Sequence, residues 1–545
     1  MKVVIVGGYG VFGGRLACLL LGDGVDVCVA GRDLGKAQAF AARHGAKALR
    51  LDVRGDLSPL VATAPDFVVD ASGALQTSGS DPYRLARFCL THHINYLDFA
   101  DDAGFAAGIG ELDVLARAGG CVALAGASSL PAVSSAAVAH LSRDLTRILL
   151  IETTIFADGA SPPGAAVMAS ALAQIGLPLR LWRGGAWRLH FGWSEPKSAS
   201  LTPSCRRVTW LVRAPDLTLF PDAFRARSVV CRAGLEHGLM NIGLAMLGYL
   251  RRRAGLADLA WLGPGLFRLA RTATRLSSGV SGLSVEVVGL KDDQPVRRRW
   301  QLTAIHGYGA YIPALPARAL LRRAGGLASG ARTCLADLTL AAISSQIADL
   351  PMSMACSEEA APTLFQLALG ETWHQLPLAV RRLHSVQDVE CFSGHARVTR
   401  GHGLIAQVAA SLFGFPKAGA DVPLRLTKTR TSRAEIWERN FAGRTFRSTL
   451  SPAARPQHCR ERFGAFTFEQ ELPVANGNLA FVVRRGWFLG LPLPAWLLPR
   501  SCSREFAVND RFYFDVGLYA PLTGGLIVRY QGEVRPDAPC EAARD

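Results

Sequence analysis

An α/β fold is expected for this chain, with a doubly wound parallel sheet at its N-terminal end and a β-rich α+β region at its C-terminal end. Three observations carry that expectation. The chain opens on a short apolar run that turns through five glycines into a helical pattern. Strand-like and helix-like stretches then alternate over the first 130 residues, as a parallel sheet with crossover helices requires. Beyond about residue 362 the pattern changes to successive strand-like runs separated by turn residues.

The opening stretch reads KVVIVGGYGVFGG. Val3 to Val6 are apolar at every position, the pattern of a strand buried on both faces. Gly8, Gly10 and Gly13 fall in GxGxxG spacing, with Tyr9, Val11 and Phe12 between them and Gly7 and Gly14 beside them. Residues 15–21 have helical periodicity. In a strand–turn–helix setting each glycine has a mechanical reason. Gly8 permits the tight turn, Gly10 lets a pyrophosphate approach bare backbone, and Gly13 lets the helix pack on the strand. The helix N-terminus adds unpaired N–H groups and a partial positive charge. A Rossmann dinucleotide site is therefore expected over Gly8–Gly13.

The bulk numbers set bounds on the rest. At 545 residues the chain is expected to hold two to four domains. With 49% hydrophobic and 19% charged residues it is not a disordered chain. The net charge of +16 suits anionic partners: a phosphorylated cofactor, an acidic lipid or nucleic acid. The arginines are dispersed and no nucleic-acid motif is present, so nucleic acid is not expected. Of twelve cysteines, none forms a CxxC pair or groups with histidine at zinc spacing, so no metal is expected. No secretory signal precedes the first strand, and a reducing cytoplasm is the expected compartment. The longest apolar run, residues 238–250, is too short to span a bilayer and ends in Arg251–Arg253.

Residues 25–30 read as the second strand, ending in Gly31-Arg32-Asp33. An acidic residue here holds ribose hydroxyls in NAD sites. A guanidinium grips a 2′-phosphate through forked hydrogen bonds. Arg32 comes first, so NADP is expected, with NAD the alternative if Asp33 turns to the ribose. The third strand is expected over 48–53, where Asp52 and Val53 either border the adenine or cap the next segment. The fourth, 66–71, leads into Ser72-Gly73, a loop expected near the nicotinamide ribose or the pyrophosphate. Residues 95–105, NYLDFADDAGF, form a strand whose end crowds Asp98, Asp101 and Asp102. Such carboxylates raise one another's pKa and serve as acid or base, or else cap the following helix. Asp98 and Asp102 are the candidate proton partners, with Tyr96 a weaker third.

GGYGVFGGRLA (7–17), AGRDLGKA (30–37), YLDFADDAGF (96–105) and GASSLPAVSSA (126–136) occur in order, and together they resemble the saccharopine-dehydrogenase-like oxidoreductase family. WQLTAIHGYGAYIPALP (300–316) resembles the family's return segment. The resemblance implies a Rossmann NAD(P)-binding domain over 1–130, completed by about 310–340. It implies an inserted mixed α+β domain over 131–309 that carries the substrate cleft or a dimer contact. It names no substrate. A linker is expected over 341–361, a β-rich domain over 362–534 and a tail over 535–545. FYFDVGLYAPLTGGLIVRYQG (512–532) resembles an uncharacterised domain found fused behind such regions. A curved antiparallel sheet there either surrounds an apolar cavity, gated by Phe488, Leu491, Leu493, Trp496 and Leu497, or packs a plain core.

The expected function is an NADP-dependent oxidoreductase acting on a small molecule, with a homodimer among the expected assemblies. The alternative is a non-catalytic protein that binds a dinucleotide and a lipid-like ligand. A helical region over 234–276 suits either a buried pair, the favoured reading, or peripheral contact with a membrane.

Overall fold

Val3, Val4 and Ile5 have no exposed surface, so the first strand must lie in the middle of a sheet covered on both faces. The computed structural model, which describes residues 1–73, 75, 81–160, 172, 174–255, 265, 274 and 277–537, places it there. The strands are β1 (Lys2–Val6), β2 (Asp26–Gly31), β3 (Lys47–Arg50), β4 (Phe67–Asp70), β5 (Asn95–Asp98) and β6 (Val122–Ala125). Gly330–Thr333 returns late in the chain to pair with β6. The order is Gly330–Thr333, β6, β5, β4, β1, β2, β3, and every pairing is parallel. The order reverses beside β1, and in such sheets the crevice at the carboxyl ends there is where ligands bind. Helix α1 (Val11–Gly22) starts directly after Gly10, four residues before its expected start, and α2 (Leu34–His44) follows β2.

A second sheet is mixed. Its order is Lys197–Thr202, Cys205–Leu211, Val229–Leu235, Arg147–Ala157, Ser281–Lys291, Gln294–Ala304 and Met352–Ala360. Arg147–Ala157 runs parallel to Val229–Leu235 and antiparallel to Ser281–Lys291. The stretch expected as a linker, 341–361, instead ends in a nine-residue edge strand of this sheet. Its sequence, MSMACSEEA, hides the strand because nearly every side chain is exposed.

The helical region over 234–276 also departs from expectation. Helix Gly238–Ala254 buries only Asn241, Gly248 and Arg251, and it exposes Leu239, Ile242, Met246, Tyr249 and Leu250. It is therefore not the buried member of a pair along that face. Most of the second half of this region and the end of the tail lie outside the described residues.

The chain divides into two compact units. The first comprises residues 1–182, 187–291 and 297–359 and holds both sheets above. The second comprises 183–186, 292–296 and the residues from 360 onward. In the second unit ten antiparallel strands between Val389 and Pro536 follow one another in the sheet. Phe466–Glu471 pairs with Asn478–Phe488, which joins the two ends of the sheet into a closed barrel. The sequence suggested a curved antiparallel sheet and did not specify whether it closes. Closure removes the unpaired edges that an open sheet would carry. Among the described residues no helix is long and apolar enough to cross a membrane.

Candidate active site

The cradle is assembled at the carboxyl end of β1. Gly7 turns the chain with φ +74° and donates its N–H to Ala30 O at 2.8 Å. A Cβ on Gly7 would stand 2.6 Å from Ala71 O and 2.8 Å from Ser72 Cα, so the turn is pressed against the loop after β4. A Cβ on Gly13 would stand 2.5 Å from Gly7 O, which is the close helix–turn packing the motif requires. Gly14 N–H donates to Gly10 O at 2.9 Å, the first bond of α1. The N–H groups of Val11, Phe12 and Gly13 precede it and are left by helix geometry for a ligand. Backbone this bare, facing a helix N-terminus, fits a dinucleotide pyrophosphate.

Tyr9 lies across the end of β2. A Cβ on Gly31 would meet its hydroxyl at 2.4 Å, and Asp33 N–H donates to that hydroxyl at 3.2 Å. Asp33 is committed to α2: its Oδ1 accepts from Lys36 N–H at 3.1 Å, and its Oδ2 pairs with Lys36 Nζ at 3.1 Å. These contacts hold its carboxyl below the usual range. Arg32 beside it is exposed and has no partner among the described residues. Asp52 lies two residues past β3 and accepts from Arg54 N–H at 3.0 Å in a local turn. Val53 O accepts from Arg84 Nη1 at 2.6 Å. Asp52 thus holds its own turn, and Val53 is tied to the helix that starts at Arg84. Ser72 and Gly73 are exposed at the switch point, with Ser72 N–H donating to Asp70 Oδ1 at 3.0 Å.

The three candidate proton partners differ in placement. Tyr96 is 2% exposed and Asp98 is 0% exposed, so both depart from the expectation of groups open to a substrate. Asp98 Oδ1 accepts from Ala100 N–H at 2.9 Å and Gly126 N–H at 2.7 Å, tying the ends of β5 and β6 together. Burial pushes Asp98 up to about 7 against those bonds. Burial and the carboxyls of Asp98 and Asp70 raise Tyr96 well above its ordinary value. Asp102 is half-buried and caps Ala103–Gly108, its Oδ1 accepting from Phe105 N–H at 2.9 Å.

Sequence reasoning missed a polar wall beside the cradle. The 3₁₀ helix Tyr308–Ala314 touches α1, the turn Ser129–Val133 and strand Ser281–Lys291. Tyr311 stacks on Tyr308 at 5.0 Å and lies under the Arg15 guanidinium, also at 5.0 Å. A Cβ on Gly309 would meet Ser281 Oγ at 2.0 Å and Asp158 Oδ2 at 3.4 Å, which brings the ends of two strands against this 3₁₀ helix. Nearby, Glu236 accepts from Ser277 Oγ and Ser278 N–H, both at 2.6 Å, and from Gly159 N–H at 3.0 Å. Burial opposes its charge, but these bonds hold its carboxyl down to about 2. Among the described residues, His237 Nε2 and Ser281 Oγ are buried without a hydrogen-bond partner. Buried polar atoms are rarely left so, and these two suit a ligand's polar groups. The run HGYGAY at 306–311 was the one available signal. Among the described residues no cluster of His, Cys, Asp and Glu is placed to hold a metal.

Comparison with known proteins gives the following. Residues 3–124 match the saccharopine dehydrogenase NADP binding domain, and residues 376–534 match a domain of unknown function, DUF4166. No curated protein matches the chain. Among solved structures, apo saccharopine dehydrogenase (L-Glu forming) from Saccharomyces cerevisiae is 15% identical. That alignment covers 65% of this chain and 99% of that one, with TM-score 0.48. GenD2 from gentamicin A biosynthesis, in complex with NAD, is also 15% identical, over 57% of this chain and 73% of that one, with TM-score 0.27. A probable dehydrogenase from Thermotoga maritima is 9% identical, over 53% and 74%, with TM-score 0.29. With a saccharopine dehydrogenase-type NADP-binding domain at its N-terminal end and a DUF4166 domain behind, the chain is an NAD(P)-dependent oxidoreductase.

Proposed function

We propose that the enzyme prefers NADP(H) and transfers hydride to or from a small molecule held against the polar wall. The carrying observation is the division of labour at the end of β2. Asp33, the residue that would hold ribose hydroxyls, is spent on the α2 cap and on Lys36. Arg32 stands exposed and uncommitted beside it, suited to a 2′-phosphate.

In this reading the turn Gly7–Gly13 takes the pyrophosphate on main-chain N–H groups. Ser72 and Gly73 border the ribose on the nicotinamide side. The nicotinamide, when bound, supplies the hydride-carrying carbon. Asp102 is proposed as the proton partner, since it is the one of the three candidates with accessible surface. Asp98 and Tyr96 position the loops after β5 and β6. His237 and Ser281 offer their unpartnered atoms to substrate.

The test is Arg32→Ala with NADPH and NADH compared in binding titrations. NADPH affinity is expected to fall by about tenfold to a hundredfold, the loss of charge-assisted hydrogen bonds to one phosphate. NADH affinity stays within about twofold on the same argument. Equal losses for both coenzymes would end the NADP reading.

A further inference from the structure

The C-terminal barrel encloses a cavity of about 150 Å³. Its wall is mostly aromatic and aliphatic, but one strand breaks that pattern. Ser501, Ser503 and Glu505 occupy alternate positions of Arg500–Val508 and so share a face. All three line the cavity. The two serine hydroxyls lie 2.8 Å apart. Lys428 Nζ faces His384 Nδ1 at 3.3 Å, which leaves the proton on Nε2, and His384 Nε2 donates to Glu505 Oε2 at 2.5 Å. The second Glu505 oxygen has no hydrogen bond among the described residues. Nor does the hydroxyl of Tyr530, which lines the same cavity among the rings of Phe441, Phe446 and Phe514. A plain core does not leave a carboxylate oxygen and a phenol unpaired on its wall.

The chemistry of this wall selects a ligand. A carboxylate accepts hydrogen bonds and does not donate them, so the ligand's polar end must be a donor. Glu505 lines the cavity and repels an anion, while Glu461 beside it is held by Arg439 and by Gln470 Nε2. Arg439 lines it too, but its guanidinium is committed to Ser448 Oγ at 2.9 Å and Glu461 Oε1 at 3.4 Å and lies over the Trp437 ring. An apolar cavity of roughly this volume takes up a molecule the size of benzene.

One end of the barrel has an apolar lip. Helix Leu404–Leu412 buries Ala406 and Ala410 and exposes Leu404, Val408 and Leu412 at four-residue spacing. Phe413, at its end, lines the cavity and packs on Phe466 at 5.4 Å, which packs on Phe488 at 4.8 Å. Leu489, Leu491 and Trp496 are exposed in the segment that follows. We propose that the barrel binds a small apolar alcohol of single-ring or short-chain size, which enters past this lip and seats its hydroxyl on Glu505.

The test titrates the full chain calorimetrically with three single-ring probes of equal carbon count: the alcohol benzyl alcohol, the hydrocarbon toluene and the acid benzoic acid. Benzyl alcohol is expected to bind one site per chain about tenfold or more tighter than either other probe, the return on one hydrogen bond to a charged acceptor. Ser503→Phe, which fills the cavity, is expected to weaken benzyl alcohol by at least about tenfold on the same scale while the far-ultraviolet dichroism stays unchanged. Uptake of none of the probes overturns the proposal. So does equal affinity for alcohol and hydrocarbon, or tightest binding of the acid. A folded Ser503→Phe chain that binds benzyl alcohol as the native chain does overturns it as well. Should that variant not fold, the three-probe series on the native chain decides alone.

Discussion

The parallel sheet and the barrel place their candidate sites in opposite ways. In the parallel sheet every strand delivers its carboxyl end to the same edge, and the phosphate cradle is made there from main chain. In the barrel the cavity lies inside, walled by side chains at alternate positions of many strands. A main-chain site is fixed by what is absent, the Cβ atoms of a few glycines. A side-chain site is fixed by what is present on strands far apart in sequence. The first therefore tolerates no added atom, whereas the second is tuned by single side chains.

Gly13→Val tests the first half of that contrast with the largest effect. Its Cβ would stand 2.5 Å from Gly7 O, backbone that cannot yield without opening the turn. NADPH binding is expected to drop by more than about a hundredfold, beyond ready detection by calorimetry. Benzyl alcohol uptake by the barrel is expected to stay as in the native chain. NADPH affinity near the native value in a folded variant would mean the turn is not the phosphate site.

A smaller effect separates the buried polar groups under the cradle from the ligand-facing ones. Burial raises Asp98 to about 7 from an ordinary value of 3.8. Between those values the folded chain keeps a proton there that the unfolded chain releases. Stability therefore falls as pH rises through that window and levels above it. Buried Asp216, which starts helix Asp216–Ala223 and accepts from Thr153 Oγ1 of the second sheet, is also raised to about 7 and adds to the same slope. Asp98→Asn removes one contribution, worth up to about 4 kcal/mol at about 1.4 kcal/mol per pH unit. Melting temperatures at pH 5 and pH 8 are expected to lie closer together in the variant than in the native chain. An unchanged gap would show that Asp98 does not titrate in this window.

What the sequence disclosed follows the same contrast. The cradle was legible because its residues are contiguous and glycine spacing has few other uses. The choice of Asp33 as a helix cap was not, since capping and ribose binding ask for the same residue type at the same place. Burial of Asp98 depends on Gly126, 28 residues away, whose N–H it accepts. The polar wall draws Asp158, Glu236, His237, Ser281 and Tyr308 from segments that share no local pattern. In the barrel, strand His458–Phe463 reads HCRERF, and its charges hide a strand whose alternate residues Cys459 and Glu461 are buried. Closure rests on pairing Phe466–Glu471 with Asn478–Phe488, and neither run signals whether the sheet stays open.

The central claim is that bare main chain at Gly7–Gly13 and the Arg32 guanidinium together hold a phosphorylated nicotinamide dinucleotide. Titration of the intact chain with NADPH and then NADH tests it most directly. The account predicts one NADPH per chain, bound about tenfold or more tighter than NADH, the discrimination expected of one guanidinium–phosphate contact. Binding of neither coenzyme to the folded chain would contradict it.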